Sequence, residues 1–275
     1  MIAYLDTNTF DHLYKKIGCT SADIANLRKA IYGRQLSFPL SIHTLEEFVL
    51  APGVRPEWRV AHVKFTLSLA SFRRLVKPCA QLVADDVRAY AARGEAERPY
   101  LGTDIQNIIS SGIAELVETD GEDLDEEMVA ALQESRNHKR TFLQGMTATQ
   151  DEVEPARDSP SQDWNFNRYF AETAPLLAER FAHSLGVSDA CAQRGIDGLL
   201  NLKSVRMSIG AALSLAFEGE AVQIGDSADL QHAVSAAAVS ETFVSDDPRI
   251  RKLLSRIPLD SFEVVDLPGF LKRLA

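Results

Sequence analysis

Carboxylates recur in this chain where short apolar runs end. Met1-Ile2-Ala3-Tyr4-Leu5 runs into Asp6, with Asn8 two residues on. Leu36 to Ser41 leads into Glu46 and Glu47, and Thr242-Phe243-Val244-Ser245 leads into Asp246 and Asp247. Asp226 and Asp229 lie in Ile224-Gly225-Asp226-Ser227-Ala228-Asp229-Leu230-Gln231-His232, one helix length before the last of these runs. Gathered at one edge, Asp6, Glu46 or Glu47, Asp229, and Asp246 or Asp247 would repel one another. They stay ionised together only where cations neutralise them.

Each acid also has a plainer explanation. Asp226 as a helix N-cap with Asp229 at the third helical position would satisfy open N–H groups and the helix dipole, about 0.5–2 kcal/mol of ordinary stability. Asp247-Pro248 favours a turn, and acids in a turn are commonly just solvated. The recurrence of acids after several apolar runs is what favours a site.

The elements that would position them alternate. Met1–Leu5, Leu36–Ser41, Leu75–Pro78 and Thr242–Ser245 read as strands, and helices are expected from about Thr9, from Ser41 to Leu50, over Pro56–Leu75, over Cys79–Arg93 and from Gly225 to Val239. Strand–helix alternation implies a parallel sheet, whose carboxyl edge is where sites form in open α/β folds. Gly94 to Gly102 marks the start of a different central part. Helical spacing runs from Thr103 to about Gly145, and two further helices are expected over Trp164–Leu185 and Ile196–Phe217. Thr147 to Asp163 is polar, with two prolines and several acids, and reads as a mobile loop. The expected organisation is an α/β domain over 1–93 and 200–275 with a mainly helical insertion over 94–199.

With 275 residues and 45% hydrophobic content the chain can bury a real core. A net charge of −10 disfavours a broad hold on nucleic acid, since phosphate binding is mainly a Lys and Arg effect, but it does not exclude a nuclease. Much of the excess is the run from Glu115 to Glu127, which reads as a solvated face. Cys19, Cys79 and Cys191 lack paired spacing and are expected as thiols, and the six histidines show no zinc pattern. His232, one turn after Asp229, is the histidine nearest the acids. No apolar stretch approaches a membrane span and no secretory leader is evident, so a cytoplasmic protein is expected.

Four pieces, in order along the chain, resemble the PIN-domain family of metal-dependent nucleases: Leu-Asp-Thr-Asn near the amino terminus, Thr-Leu-x-Glu-Phe-Val, Asp-Leu-Gln-His-Ala-Val-Ser-Ala-Ala, and Phe-Val-Ser-x-Asp. The resemblance covers about the first 90 and the last 75 residues. It implies a Rossmann-like three-layer α/β/α sandwich with a central parallel sheet. It implies metal-site acids at Asp6, Glu47, Asp229 and Asp247, with Asn8 and Ser245 as polar supports and Asp226 and Asp246 as extra acids beside them. The activity it implies is hydrolysis of RNA phosphodiesters with Mg²⁺ or Mn²⁺, and small members are often toxins of toxin–antitoxin pairs, which makes a protein inhibitor or a second copy of the chain candidate partners.

Substrate phosphates would meet Arg249 and Arg251, which follow Asp247, and Lys203 and Arg206, which lead back toward the acidic motif. Trp164, Phe166, Tyr169 and Phe170 could stack bases, but Phe181 and Leu185 continue the same apolar positions, which favours a buried helix face. Two alternatives remain. Asp6 and Gly225-Asp226-Ser227-Ala228-Asp229 look like the first and last motifs of a haloacid-dehalogenase-type phosphatase, although Asn8 stands where that chemistry needs a second acid. A PIN-like scaffold that binds RNA or protein without cutting would keep the fold alone.

Overall fold

The computed structural model describes residues 1–51, 53–137, 165–218 and 224–274. Five short strands, β1 (Ala3–Leu5), β2 (Phe38–Ser41), β3 (Ala70–Val76), β4 (Thr242–Val244) and β5 (Glu263–Val265), are each parallel to their neighbours. β1, β4 and β5 form one sheet and β2 and β3 another. A parallel bridge between Ile2 and Ser37 links the two, with the Ala3 amide donating to the Ser37 carbonyl at 3.1 Å. All carboxyl ends therefore lie along one edge. β1 can sit at the centre because Ala3-Tyr4-Leu5 is wholly apolar, as a parallel strand covered on both faces must be.

Alternation along the strands divides the core. Tyr4 and Phe243, side by side in the β1–β4 pair, join one cluster. It is filled by α5 (Cys79–Arg93), α8 (Phe166–Ser184), the short α9 (Ser188–Arg194) and α10 (Ile196–Leu200), α11 (Lys203–Glu218), α12 (Ile224–Val239) and α13 (Pro248–Leu254). Leu5 and Val244, the next pair, join the other. There they meet α1 (Thr7–Lys15), α2 (Ser21–Tyr32), α3 (Ile42–Val49), α4 (Pro56–Leu67), α6 (Thr103–Glu118), the helical residues 126–137 (α7) and α14 (Leu267–Lys272). The central part thus contributes to both clusters: Ile109, Ile113, Met128 and Leu132 lie with Leu5, and Phe166, Tyr169 and Phe170 with Tyr4. That burial is the core role expected for the aromatic run from Phe166. Trp164 and the expected loop at 147–163 lie outside the described residues.

Three helices expected as continuous are broken. The helix from Pro56 stops at Leu67, where the Ser68 hydroxyl donates back to the Phe65 carbonyl, and Ala70–Val76 becomes β3 because pairing with β2 overrides local preference. The stretch from Thr103 breaks after Glu118 at Asp120 (φ 49°) and Gly121 (φ 85°), where a Cβ on Gly121 would stand 2.8 Å from the Pro56 carbonyl oxygen. Ile196–Phe217 divides at Asn201 and Leu202 into α10 and α11. α2, α13, α14 and β5 are additions to the elements expected from the sequence, although Thr20 with Asp23, and Asp247 and Asp266 each followed within two residues by a proline, mark the three helix starts. Among the described residues no helix is long and apolar enough to cross a membrane.

Candidate active site

A polar residue at or just beyond a strand end repeatedly becomes the cap of the next helix. Asp6 caps α1, Ser41 caps α3, Asp247 caps α13 and Asp266 caps α14. Each cap satisfies an open N–H. Because the strands are parallel, the same chemistry places polar side chains along one edge.

Asp6 is 1% exposed. Its Oδ1 accepts from the Thr9 amide at 2.6 Å, while Oδ2 is buried without a hydrogen-bond partner of normal geometry. Burial pushes its carboxyl up, and the nearby Ser245 and Thr9 only partly offset that. Asp247 uses Oδ1 to accept from the Arg249 and Ile250 amides at 2.7 and 3.1 Å, and its own amide donates to the Ser245 hydroxyl at 3.3 Å. Glu47 lies on α3, half-buried, with Oε2 3.3 Å from His232 Nε2. Asp229 lies on α12. Its pKa is raised from 3.8 to about 7, first by burial and then by the charges of Asp6, Glu47 and Asp247, with His232 pulling the other way. Asp6, Glu47 and Asp247 thus all act electrostatically on Asp229.

A cation already stands among them. His232, 1% exposed, meets Tyr4 Oη through Nδ1 at 2.8 Å, and through Nε2 the Thr7 hydroxyl at 3.2 Å and Glu47. Tyr4 donates its own proton to Ser41 Oγ at 2.6 Å, so its oxygen accepts from Nδ1–H. The Glu47 carboxylate can only accept, so Nε2 also carries a proton. Burial alone would strip that proton, but Tyr4 and Glu47 outweigh it and raise the His232 pKa to about 10.

The remaining expected residues fall into two groups. Asn8 is exposed on the first turn of α1 beside Glu47, and Ser245 is buried between Asp6 and Asp247. Others are engaged elsewhere. Asp226 is not an N-cap: the chain is already helical at Ile224, and the buried Asp226 carboxylate pairs with Arg249 at 2.8 Å. Asp246 turns to His12 at 2.6 Å and to the Leu267 amide at 2.8 Å. Arg251 donates to the Ser245 carbonyl at 2.9 Å. Arg206 donates to the Pro258 carbonyl and lies over the Phe170 ring, 5.4 Å from its centroid, and Lys203 starts the same helix. Glu46, next to Glu47, is buried against Arg136 at 2.9 Å. Tyr4, Thr7 and Ser41 were not singled out by sequence. The Tyr4 hydroxyl on a central strand was the one available signal, since a buried hydroxyl needs a partner.

As a donor set the edge offers hard carboxylate oxygens, one of them buried and unpartnered, which suits a divalent cation. Among the described residues no three His, Cys, Asp or Glu side chains converge closely enough to hold an ion. Comparison with family models, with curated proteins and with solved structures finds no match for this chain.

Proposed function

We propose that this chain is a Mg²⁺- or Mn²⁺-dependent nuclease, an endoribonuclease of PIN-like design, with the Rossmann-like three-layer sandwich that such a design implies. The observation that carries the proposal is the placement of Asp6, Glu47 and Asp247 on three other elements near Asp229, whose pKa burial first and then these three charges raise to about 7, beside a buried Asp6 oxygen with no hydrogen-bond partner of normal geometry. Carboxylates gathered in this way suit a cationic ligand. Bound there, a divalent ion would acidify an attacking water and neutralise charge on the leaving oxygen. Asp6, Glu47, Asp229 and Asp247 would hold it. His232 fixes the Glu47 carboxylate, and Ser245 braces Asp247 through its amide.

The test is cleavage of labelled single-stranded RNA with Mn²⁺ and with EDTA, in the wild type and in Asp6→Asn. Asn preserves the α1 cap. The variant should fold normally and lose more than about a hundredfold in rate, since even residues that merely support metal ligands cost 10–100-fold. No metal-dependent cut would leave the scaffold reading. A phosphate trapped covalently on Asp6 from a small phosphate ester would establish the phosphatase instead.

A further inference from the structure

Beside Glu47 a cleft of about 440 Å³ opens between α1, α3 and α4. Thr7, Asn8 and Glu47 line it together with Phe48, Trp58 and Arg59. Glu47 belongs both to this lining and to the acidic edge, and with Thr7 it touches His232, so the cleft adjoins that edge. Its size is that of a small-ligand site, room for about one or two nucleotides and not for a duplex.

Three observations define what it would take. Trp58 is 46% exposed, and its ring stacks on His62, one turn on, at 6.0 Å and 28°. His62 is itself fixed, with Nδ1 2.8 Å from the Trp58 carbonyl, Nε2 2.9 Å from Asp11, and the Tyr14 and Phe48 rings against it. The shelf is therefore preorganised and partly open to solvent. Arg59 lines the same cleft with its Nε buried and without a partner, and a buried cationic donor left unmade is costly. Finally, the acid of this wall is already answered: Asp11 is engaged by Lys15 at 2.7 Å and by His62. Arg55, at the mouth, is 78% exposed with Glu57 4.0 Å away. Aromatic faces interleaved with arginines are the requirements of a single strand, whose bases stack and whose phosphates need guanidinium.

We infer that this cleft is the binding groove for single-stranded RNA, with Trp58 stacking a base and Arg59 and Arg55 meeting the phosphates that lead to the acidic edge. The assignment rests on the nuclease reading for what happens to the strand, but binding is testable apart from cleavage. Paired bases keep their faces covered, so duplex RNA should not use the shelf.

The experiment uses the full chain with Trp164→Phe, which leaves Trp58 as its tryptophan, and a fluorescein-labelled single-stranded RNA 12-mer at low salt in EDTA. The expected result is quenching of Trp58 emission by the single strand and not by the duplex. In the parent chain, Trp58→Ala should weaken binding between about fivefold and a hundredfold. Arg59→Gln should weaken it and lower the slope of log affinity against log salt by about 0.7. In Mn²⁺, Trp58→Ala should raise KM for the same oligomer and largely retain kcat. Binding and quenching without any cut in Mn²⁺ would support the groove and sink the nuclease reading. Cleavage with KM unchanged in both variants would sink the groove and leave the nuclease. Absence of RNA binding by the wild type in both EDTA and Mn²⁺ would overturn the inference outright.

Discussion

Replacing Asp229 by Asn should stabilise the metal-free protein, and by an amount that depends on pH. In the folded chain burial and three neighbouring carboxylates raise this acid from 3.8 to about 7. The fold therefore binds its proton more tightly than the unfolded chain does. Stability falls as pH rises above about 4, and the full cost is reached above about pH 7. A shift of about three units corresponds to about 4 kcal/mol at pH 8. The side chain is only partly buried, so solvent screening trims this toward about 1–4 kcal/mol. For a chain of this length that is about 2–8 °C in melting temperature. Asn keeps the shape and removes the charge, so in EDTA the variant should exceed the wild type by that margin at pH 8 and match it near pH 4. Mn²⁺ that binds only the folded state should raise the wild-type melting temperature, and the variant should gain much less. Thermal melts at two pH values, each with EDTA and with Mn²⁺, supply the comparison. A variant less stable than wild type at pH 8 in EDTA, or one with an equal gain from Mn²⁺, would refute the carboxylate cluster.

The imidazolium at His232 has the opposite sign. Its folded pKa near 10 means that its contribution is fully present below about pH 6.5 and lost as pH climbs toward 10, so the deficit of His232→Gln, followed by denaturant melts, should shrink over that range. Constant destabilisation across pH would show that the ring is held neutral. Arg249→Ala should cost about 2–4 kcal/mol by removing the cation from the buried Asp226 carboxylate, with KM for RNA little changed. A rise in KM without loss of stability would return Arg249 to the substrate. In Gly112→Ala the new methyl would stand 2.5 Å from Met128 Cβ, so α6 and α7 must shift, at about 1–3 kcal/mol in a urea melt. An unchanged midpoint would mean that this pair of helices is loosely packed.

The strands that bear the site were legible because each is a short apolar run ended by a polar cap, a pattern in which local chemistry and tertiary role agree. Asp6 and Asp247 are found from sequence for that reason. β3 was legible only at its end, where the strand expected over Leu75–Pro78 overlaps it, because Ala70 to Arg74 joins the strand only through pairing with β2 across an intervening helix pair, and nothing local separates it from the end of α4. Choices between neighbouring acids turned on partners far along the chain. Asp226 is answered by Arg249, Asp246 by His12, and Glu46 by Arg136, separations of 23, 234 and 90 residues. Such pairings follow from topology, which spacing does not encode. Trp58 reads in sequence as one more apolar residue of an amphipathic helix, and its exposure follows from how α4 leans against α1 and α3 rather than from its own period.

The central helices bear on the site through α3. That helix has eight residues, too few to persist alone in water, so something else must hold Glu47 at the strand edge. α7 does much of this. Arg136 donates to Glu46 at 2.9 Å and to the Leu50 carbonyl at the end of α3 at 2.9 Å. His43 accepts from the Cys79 amide through Nε2, so its Nδ1 carries the proton and donates to Ser135 at 3.2 Å. Two adjacent residues of α7 thus grip α3, and Glu47, one turn after His43, meets His232. α7 is in turn seated by the close approach of Met128 to Gly112 and by the tight turn at Gly121 beneath Pro56, the first residue of α4. The residues of the central part accordingly brace both the helix that carries Glu47 and the helix that carries Trp58 and Arg59. Loosening α7 should then move metal affinity and RNA affinity together, whereas a change at Asp229 should touch the first and a change at Trp58 only the second.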